Sequence, residues 1–315
     1  MNDAPDPTLF APALGGLELR ARLLGQPHLE DYITFVQTRT VGGERADVRA
    51  LADEWREAND HYYELERTEA GIADDIERLD VEPELAPLIA ELQAQPRFSP
   101  AHDPLPSRFE LVEAHRPVVS QQSVSLNFVE TLKSGLGLAP SPERLFRFCQ
   151  PIEPPQAPVR AQRLDDNHFL FSSDSSDFRA HDATLLRPAQ ILELAAADPM
   201  SAIVAVPVGF GSNVLHAIET DDRLILQNGY HRAYALRDLG ITHAYCAVQT
   251  VTRRDELKLV AGEPVIEAPE FYCRAKRPPL LKDFFDPKIR KVLNVRRMSR
   301  MIEVKLEVRE YQVVE

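Results

Sequence analysis

The longest regular pattern in the chain is "DVRALADEWREANDHYYELERTEAGIADDIERL", from Asp47 to Leu79. Leu51, Trp55, Ala58, Tyr62 and Leu65 recur three or four positions apart with carboxylates between them, which is the spacing of an amphipathic helix. The pattern predicts one long helix or a helical hairpin, followed by a shorter helix around Pro87 to Gln95. Residues 28–95 are therefore expected to form a helical region. Residues 1–27 mix Pro, Gly and small apolar positions and predict an extended N-terminal arm.

Beyond a Pro-rich linker from Ala94 to Ser107, the periodicity falls to two. "RFELVEAHRPVV" alternates like a strand, and "SLNFVETLKSGLG" reads as a helix that starts at Ser125 and stops at glycine. After a second Pro-rich stretch, Gln150 to Arg160, "RLDDNHFLFSS" predicts a strand and "RPAQILELAAAD" a helix with Pro188 in its first turn. "SAIVAVPVG" is a continuous apolar run, expected to be a strand buried on both faces. "NVLHAIET" and "RLILQ" flank Asp221 and Asp222 as a hairpin, and "ITHAYCAVQTV" closes the series as a strand. The expected class is α/β, in stricter terms α+β: a helical N-terminal region followed by a mixed sheet with helices over residues 108–315, ending in a strand extension.

Composition narrows the function. The 315 residues are 44% hydrophobic, enough for a sizeable core. A formal charge of -13 disfavours nucleic acid as a partner. No run approaches the roughly 18 apolar residues of a membrane span, and the N-terminus has no signal-peptide pattern, so a cytoplasmic location without membrane contact is expected. Cys149, Cys246 and Cys273 stand far apart, and His168, His181, His216 and His243 are scattered, so no metal site is expected. A basic run, Arg274 to Arg300, is read first as a source of internal partners for the acidic half and second as an anion or protein contact.

The chemical signal lies in "RLILQNGYHRAYALRDLG". Gly229 permits a sharp strand-to-helix turn, and the residues after it sit at a helix N-terminus, where unpaired N–H groups and the dipole favour an anion. Gly240 ends the helix. From Arg163 to Val251 the order of elements around "NGYHRAYALRDLG" resembles the ParB and sulfiredoxin superfamily, whose members deliver a short Gly-x-x-Arg turn from a strand onto a helix. The resemblance implies that the turn contacts the phosphates of a nucleotide. Tyr230 stands where sulfiredoxins carry their catalytic cysteine, so sulfinic acid reduction is not expected. The helix-turn-helix DNA reader of ParB proteins has no counterpart after Arg253.

The candidate phosphate site is thus Asn228, Gly229, Tyr230, His231 and Arg232, with Arg179 and Arg187 as additional phosphate contacts and Gly209 and Gly211 as a second glycine loop. The expected function is binding of a nucleotide, with Mg²⁺ as its usual companion, or of another phosphorylated small molecule. Hydrolysis and phosphoryl transfer stay open, since no catalytic base can be assigned. The alternative is a non-catalytic adaptor that keeps the fold and works through protein contacts. Trp55, Tyr62 and Tyr63 make residues 28–95 the expected surface for a protein partner or a second copy of the chain.

Overall fold

A computed structural model of the chain describes residues 16–95, 98, 105–152, 156–175, 177–187, 201–211 and 213–314. In chain order its principal elements begin with β1 (Leu17–Leu23), α1 (Leu29–Arg39), α2 (Val48–Thr68), β2 (Arg78–Leu79) and α3 (Ala86–Gln93). Then follow β3 (Ser107–Glu113), β4 (Val118–Val119), β5 (Ser123–Ser125), α4 (Leu126–Leu136) and α5 (Pro142–Cys149). Among the described residues the next elements are the strands β6 (Val159–Asp165), β7 (His168–Ser173), β8 (Phe178–Ala180), β9 (Thr184–Leu186), β10 (Ile203–Ala205), β11 (Val208–Phe210), β12 (His216–Thr220) and β13 (Arg223–Asn228). The chain ends with α6 (Tyr230–Asp238), β14 (His243–Thr250), α7 (Arg254–Val260), α8 (Glu263–Glu267), β15 (Arg290–Arg296) and β16 (Arg300–Lys305). The protein is therefore of mixed helix and strand class. Among the described residues no helix is long and apolar enough to cross a membrane.

The chain divides into two compact units. The larger takes Gly16–Pro154 and Ser212–Arg297. Its six-stranded sheet runs β2-β3-β14-β12-β13-β4, and a three-stranded antiparallel sheet runs β15-β1-β5. In β14, Ala244, Tyr245, Cys246, Ala247 and Val248 are all buried, which is why its sequence reads as an unbroken apolar run. The β12–β13 hairpin turns through Asp221 and Asp222, both at positive φ, a conformation aspartate tolerates because its short side chain bonds locally.

The α2 helix begins where Asp47 accepts the N–H of Arg49 at 2.9 Å. Its apolar stripe buries Leu51, Ala58 and Tyr62 against Tyr32 and Val36 of α1 and Ile289, with Trp55 and Leu65 packed alongside. Of the three aromatic residues assigned to a contact surface, Tyr62 is buried and Trp55 joins this internal cluster, while Tyr63 is exposed. The α5 helix has a plain signal, Ser141 capping and Pro142 opening it, yet the periodicity reading passed over it.

The smaller unit takes Pro155–Gly211 and Met298–Glu315. Its largest sheet is antiparallel, β16-β7-β6, beside the two-stranded pairs β9–β10 and β8–β11.

Three expectations need correction. The N-terminal arm is not extended lead throughout, because Leu17–Leu23 is the central strand of the β15-β1-β5 sheet, where Ala21 is wholly buried. "SAIVAVPVG" is not one doubly buried strand, because it breaks at Ala205 before Pro207 into β10 and β11, and Val204 is exposed. The segment 163–251 is not one body, since the boundary between the units falls at Gly211. The helix expected from Pro188 to Asp198 lies outside the described residues.

Candidate functional site

The turn at Asn228–Arg232 is built by a single stereochemical demand. Gly229 has φ +88, and a Cβ placed there would lie 2.8 Å from Leu215 Cα, so only glycine fits. The Asn228 Oδ1 accepts the Gly229 N–H at 2.7 Å, closing the bend before α6 starts at Tyr230. In the first turn of α6 the N–H groups of Tyr230 and His231 have no acceptor among the described residues. That leaves the donor pair expected of an open helix start.

The side chains of the turn have protein partners. Tyr230 is buried and donates its phenol proton to the carbonyl of Leu226. The Ser120 hydroxyl, 3.0 Å away, is therefore the donor in its contact with the same phenol oxygen. Burial pushes the Tyr230 phenol above its usual range. The His231 Nε2 accepts the backbone N–H of Ser125 at 3.0 Å, which puts the ring proton on Nδ1. Burial, the Arg20 guanidinium and the Arg232 guanidinium push the His231 imidazole down to about 4, against the opposing Glu18 carboxylate. Phe128 meets that ring edge-on, with centroids 5.3 Å apart. Arg232 is buried and donates from Nη1 to Asn213 Oδ1 at 2.7 Å. Asp238, the one carboxylate within α6, pairs with Lys133 at 2.5 Å.

One polar segment, "SQQSVS" from Ser120 to Ser125, joins this turn to the polar face of β1. Ser120 meets Tyr230, and the N–H of Ser125 meets His231. On the other side, Gln122 Oε1 accepts from Arg22 Nη2 at 2.9 Å, and Ser123 Oγ accepts from Arg20 Nη1 at 3.2 Å. Ser125 Oγ donates to Glu18 Oε2 at 2.9 Å, and Glu18 also pairs with Arg20 at 2.7 Å. Glu18, Arg20 and Arg22 alternate on one face of β1, a period-two pattern visible in "LELRARL". Sequence reasoning missed both segments because it placed residues 1–27 outside the fold. The arginines of β1 gain meaning only through the pairing of β1 with β5.

The remaining candidates belong to the other unit. Arg179, Arg187, Gly209 and Gly211 belong to the smaller unit, whereas the turn belongs to the larger. Arg179 is exposed and ion-paired with Asp177, and Gly211 leaves room for its guanidinium: a Cβ there would sit 2.6 Å from Arg179 Nη2. Arg187 is exposed at the end of β9, and Gly209 lies within β11. A cleft of about 430 Å³ beside α2 is lined by the carboxylates Glu54, Glu57, Asp60 and Glu64 together with His61, Lys288, Arg290 and Lys291, several of them already in ion pairs. Lys291 pairs with Glu54 at 2.6 Å, and His61 bridges Glu64 and Asp286 at 3.1 and 3.0 Å. Among the described residues no group of His, Cys, Asp and Glu is placed to hold a metal ion.

Comparison with known proteins finds no family model, no curated protein and no solved structure that matches this chain.

Proposed function

We propose that the larger unit binds a phosphorylated small molecule, a nucleotide first among them, at the start of α6. The observation that carries this reading is the pair of unaccepted N–H groups of Tyr230 and His231 behind a glycine that Leu215 makes obligatory. The likeness of "NGYHRAYALRDLG" to the phosphate turn of the ParB and sulfiredoxin superfamily supports the same assignment. In this reading the backbone holds the phosphate, Arg232 sets the charge behind it, and neutral His231 orients Ser125 rather than neutralising the ligand. The test is a thermal-shift series with nucleotides, with and without Mg²⁺. A ligand at 100 times its dissociation constant should add about 2.7 kcal/mol to stability. Flat melting curves across the series would refute it.

The second reading is a scaffold that keeps the fold and works through protein contacts. It is favoured by the internal partners of Tyr230 and His231, which occupy side chains a ligand would use. The Arg232→Ala variant separates the two. A ligand site predicts about 10- to 150-fold weaker nucleotide binding with the fold retained. A scaffold predicts a lower melting temperature and no nucleotide affinity to lose.

A further inference from the structure

Arg22, Arg223, Arg232 and Arg277 are the arginines buried among the described residues, and their surroundings differ. Arg277 is held by both oxygens of Asp283, at 2.6 and 2.9 Å, and by Glu69 at 3.0 Å. Arg223 pairs with Asp74. Arg22 is only 6% exposed, yet no carboxylate of the described residues lies within ion-pair distance of it. Its Nη2 donates to Gln122 Oε1, its Cζ lies 4.4 Å from the Phe35 centroid, and its Nε has no acceptor among the described residues.

A cation–π contact and one neutral amide do not repay the desolvation of a buried guanidinium. Burial indeed lowers the Arg22 pKa to about 10, with partial relief from Asp31 and from Tyr32, so the group is still charged at neutral pH. The Asp31 carboxylate attracts Arg22 only from beyond ion-pair distance, and the side chain bonded to the guanidinium is a neutral amide. The Gln122 amide spends its oxygen on Arg22, which leaves its NH₂ as a donor. A buried cation with an unfilled Nε–H beside a spare amide donor is the complement of an oxyanion.

We propose that Arg22 anchors a binding site for the oxyanion group of a small ligand, a carboxylate or a phosphate, with Gln122 as second donor and Phe35 as its wall. This site stands on β1 and does not require that the α6 turn bind phosphate. It also explains why the Arg22 charge is kept in a place where an apolar residue would be cheaper for folding.

The experiment uses the full chain at fixed ionic strength, with inorganic phosphate and succinate as separate probes and sodium chloride as the control. At least one probe should raise the melting temperature saturably, and which one does so distinguishes phosphate from carboxylate. Arg22→Met should weaken that probe by about 10- to 150-fold, the loss expected for one charge-assisted contact. The ligand-free variant should melt no lower than the parent, because removing the charge strands no ion-paired carboxylate and leaves only the half-buried Gln122 amide oxygen without its donor. The Arg22 Nε–H resonance of the parent protein, assigned by its loss in Arg22→Lys, should shift on titration, and it decides the matter even where Arg22→Met fails to fold. The proposal is overturned if neither probe acts saturably, if Arg22→Met binds like the parent, or if the Nε–H resonance stays still at saturation. A nucleotide response that survives in Arg22→Met would leave the α6 site standing and remove this one.

Discussion

Gly229 and His231 carry most of the local physics of the turn. Glycine at φ +88 avoids both the left-handed strain of an L side chain and the overlap with Leu215. Gly229→Ala should therefore cost about 2 to 4 kcal/mol, the sum of backbone strain and overpacking, read as a lower urea midpoint. His231 stays neutral in the folded protein down to about 4, whereas in the unfolded chain it takes up its proton near the ordinary 6.5. Between those values the unfolded state binds more protons, so stability is complete above 6.5 and is lost as pH falls toward 4. The loss from this residue is at most about 3 kcal/mol. His231→Gln keeps an acceptor for Ser125 and has no proton to gain, so the stability gap between parent and variant should narrow from pH 7 to pH 5. Parallel losses in the two proteins would show that His231 does not titrate in this way.

The elements of the larger unit are tied by charges that the sequence shows but does not pair. The basic run from Arg274 contains Arg277 and Lys282, both of which reach Glu69 just past the end of α2. Asp283, in the short 3-10 turn Leu281–Phe285, accepts from Arg277, from the N–H of Leu280 and from Tyr62 of α2. The Arg277 and Asp283 side chains are 1% and 2% exposed, so neither charge has water to fall back on. Asp283→Asn should destabilise by about 3 to 5 kcal/mol by stranding the Arg277 charge. The double replacement Arg277→Met with Asp283→Leu should cost clearly less than the sum of the two single changes, as a double-mutant cycle in urea would measure. Additive losses would mean the pair is not coupled. Glu219 makes a similar but more open node, where hydrogen bonds from Arg78, Arg108 and Thr250 outweigh burial and hold its carboxyl at about 2.

At the scale of the whole molecule, the larger unit is closed by its most distant parts, since β1 pairs along its length with β15, from Leu17↔Arg296 to Leu23↔Arg290. A chain ending at Arg297 keeps that pairing and should retain the near-ultraviolet circular dichroism of the parent protein's buried Tyr residues and half-buried Trp55. A chain ending at Pro287 loses β15 together with the buried Ile289 and Val295 and should lose that signal. Equal signals from the two truncations would show that the β1–β15 pairing does not hold the unit together. The same pairing marks what the sequence could decide. The periods of 3.6 and 2 set α2, α4, the β12–β13 hairpin and β14, and Gly229 and Gly240 set the ends of α6, because each depends on neighbours within a few residues. The candidate turn was visible for that reason. Its surroundings were not: Ser120 and Ser125 reach it across 110 and 106 positions, Arg20 reaches Ser123 beside them across another 103, and no local pattern encodes a partner so far away. Strand register fixed which side chains face one another, and so only the tertiary structure decided that Asp283 neutralises Arg277, that Ser125 occupies His231, and that Arg22 is buried with its Nε unaccepted among the described residues.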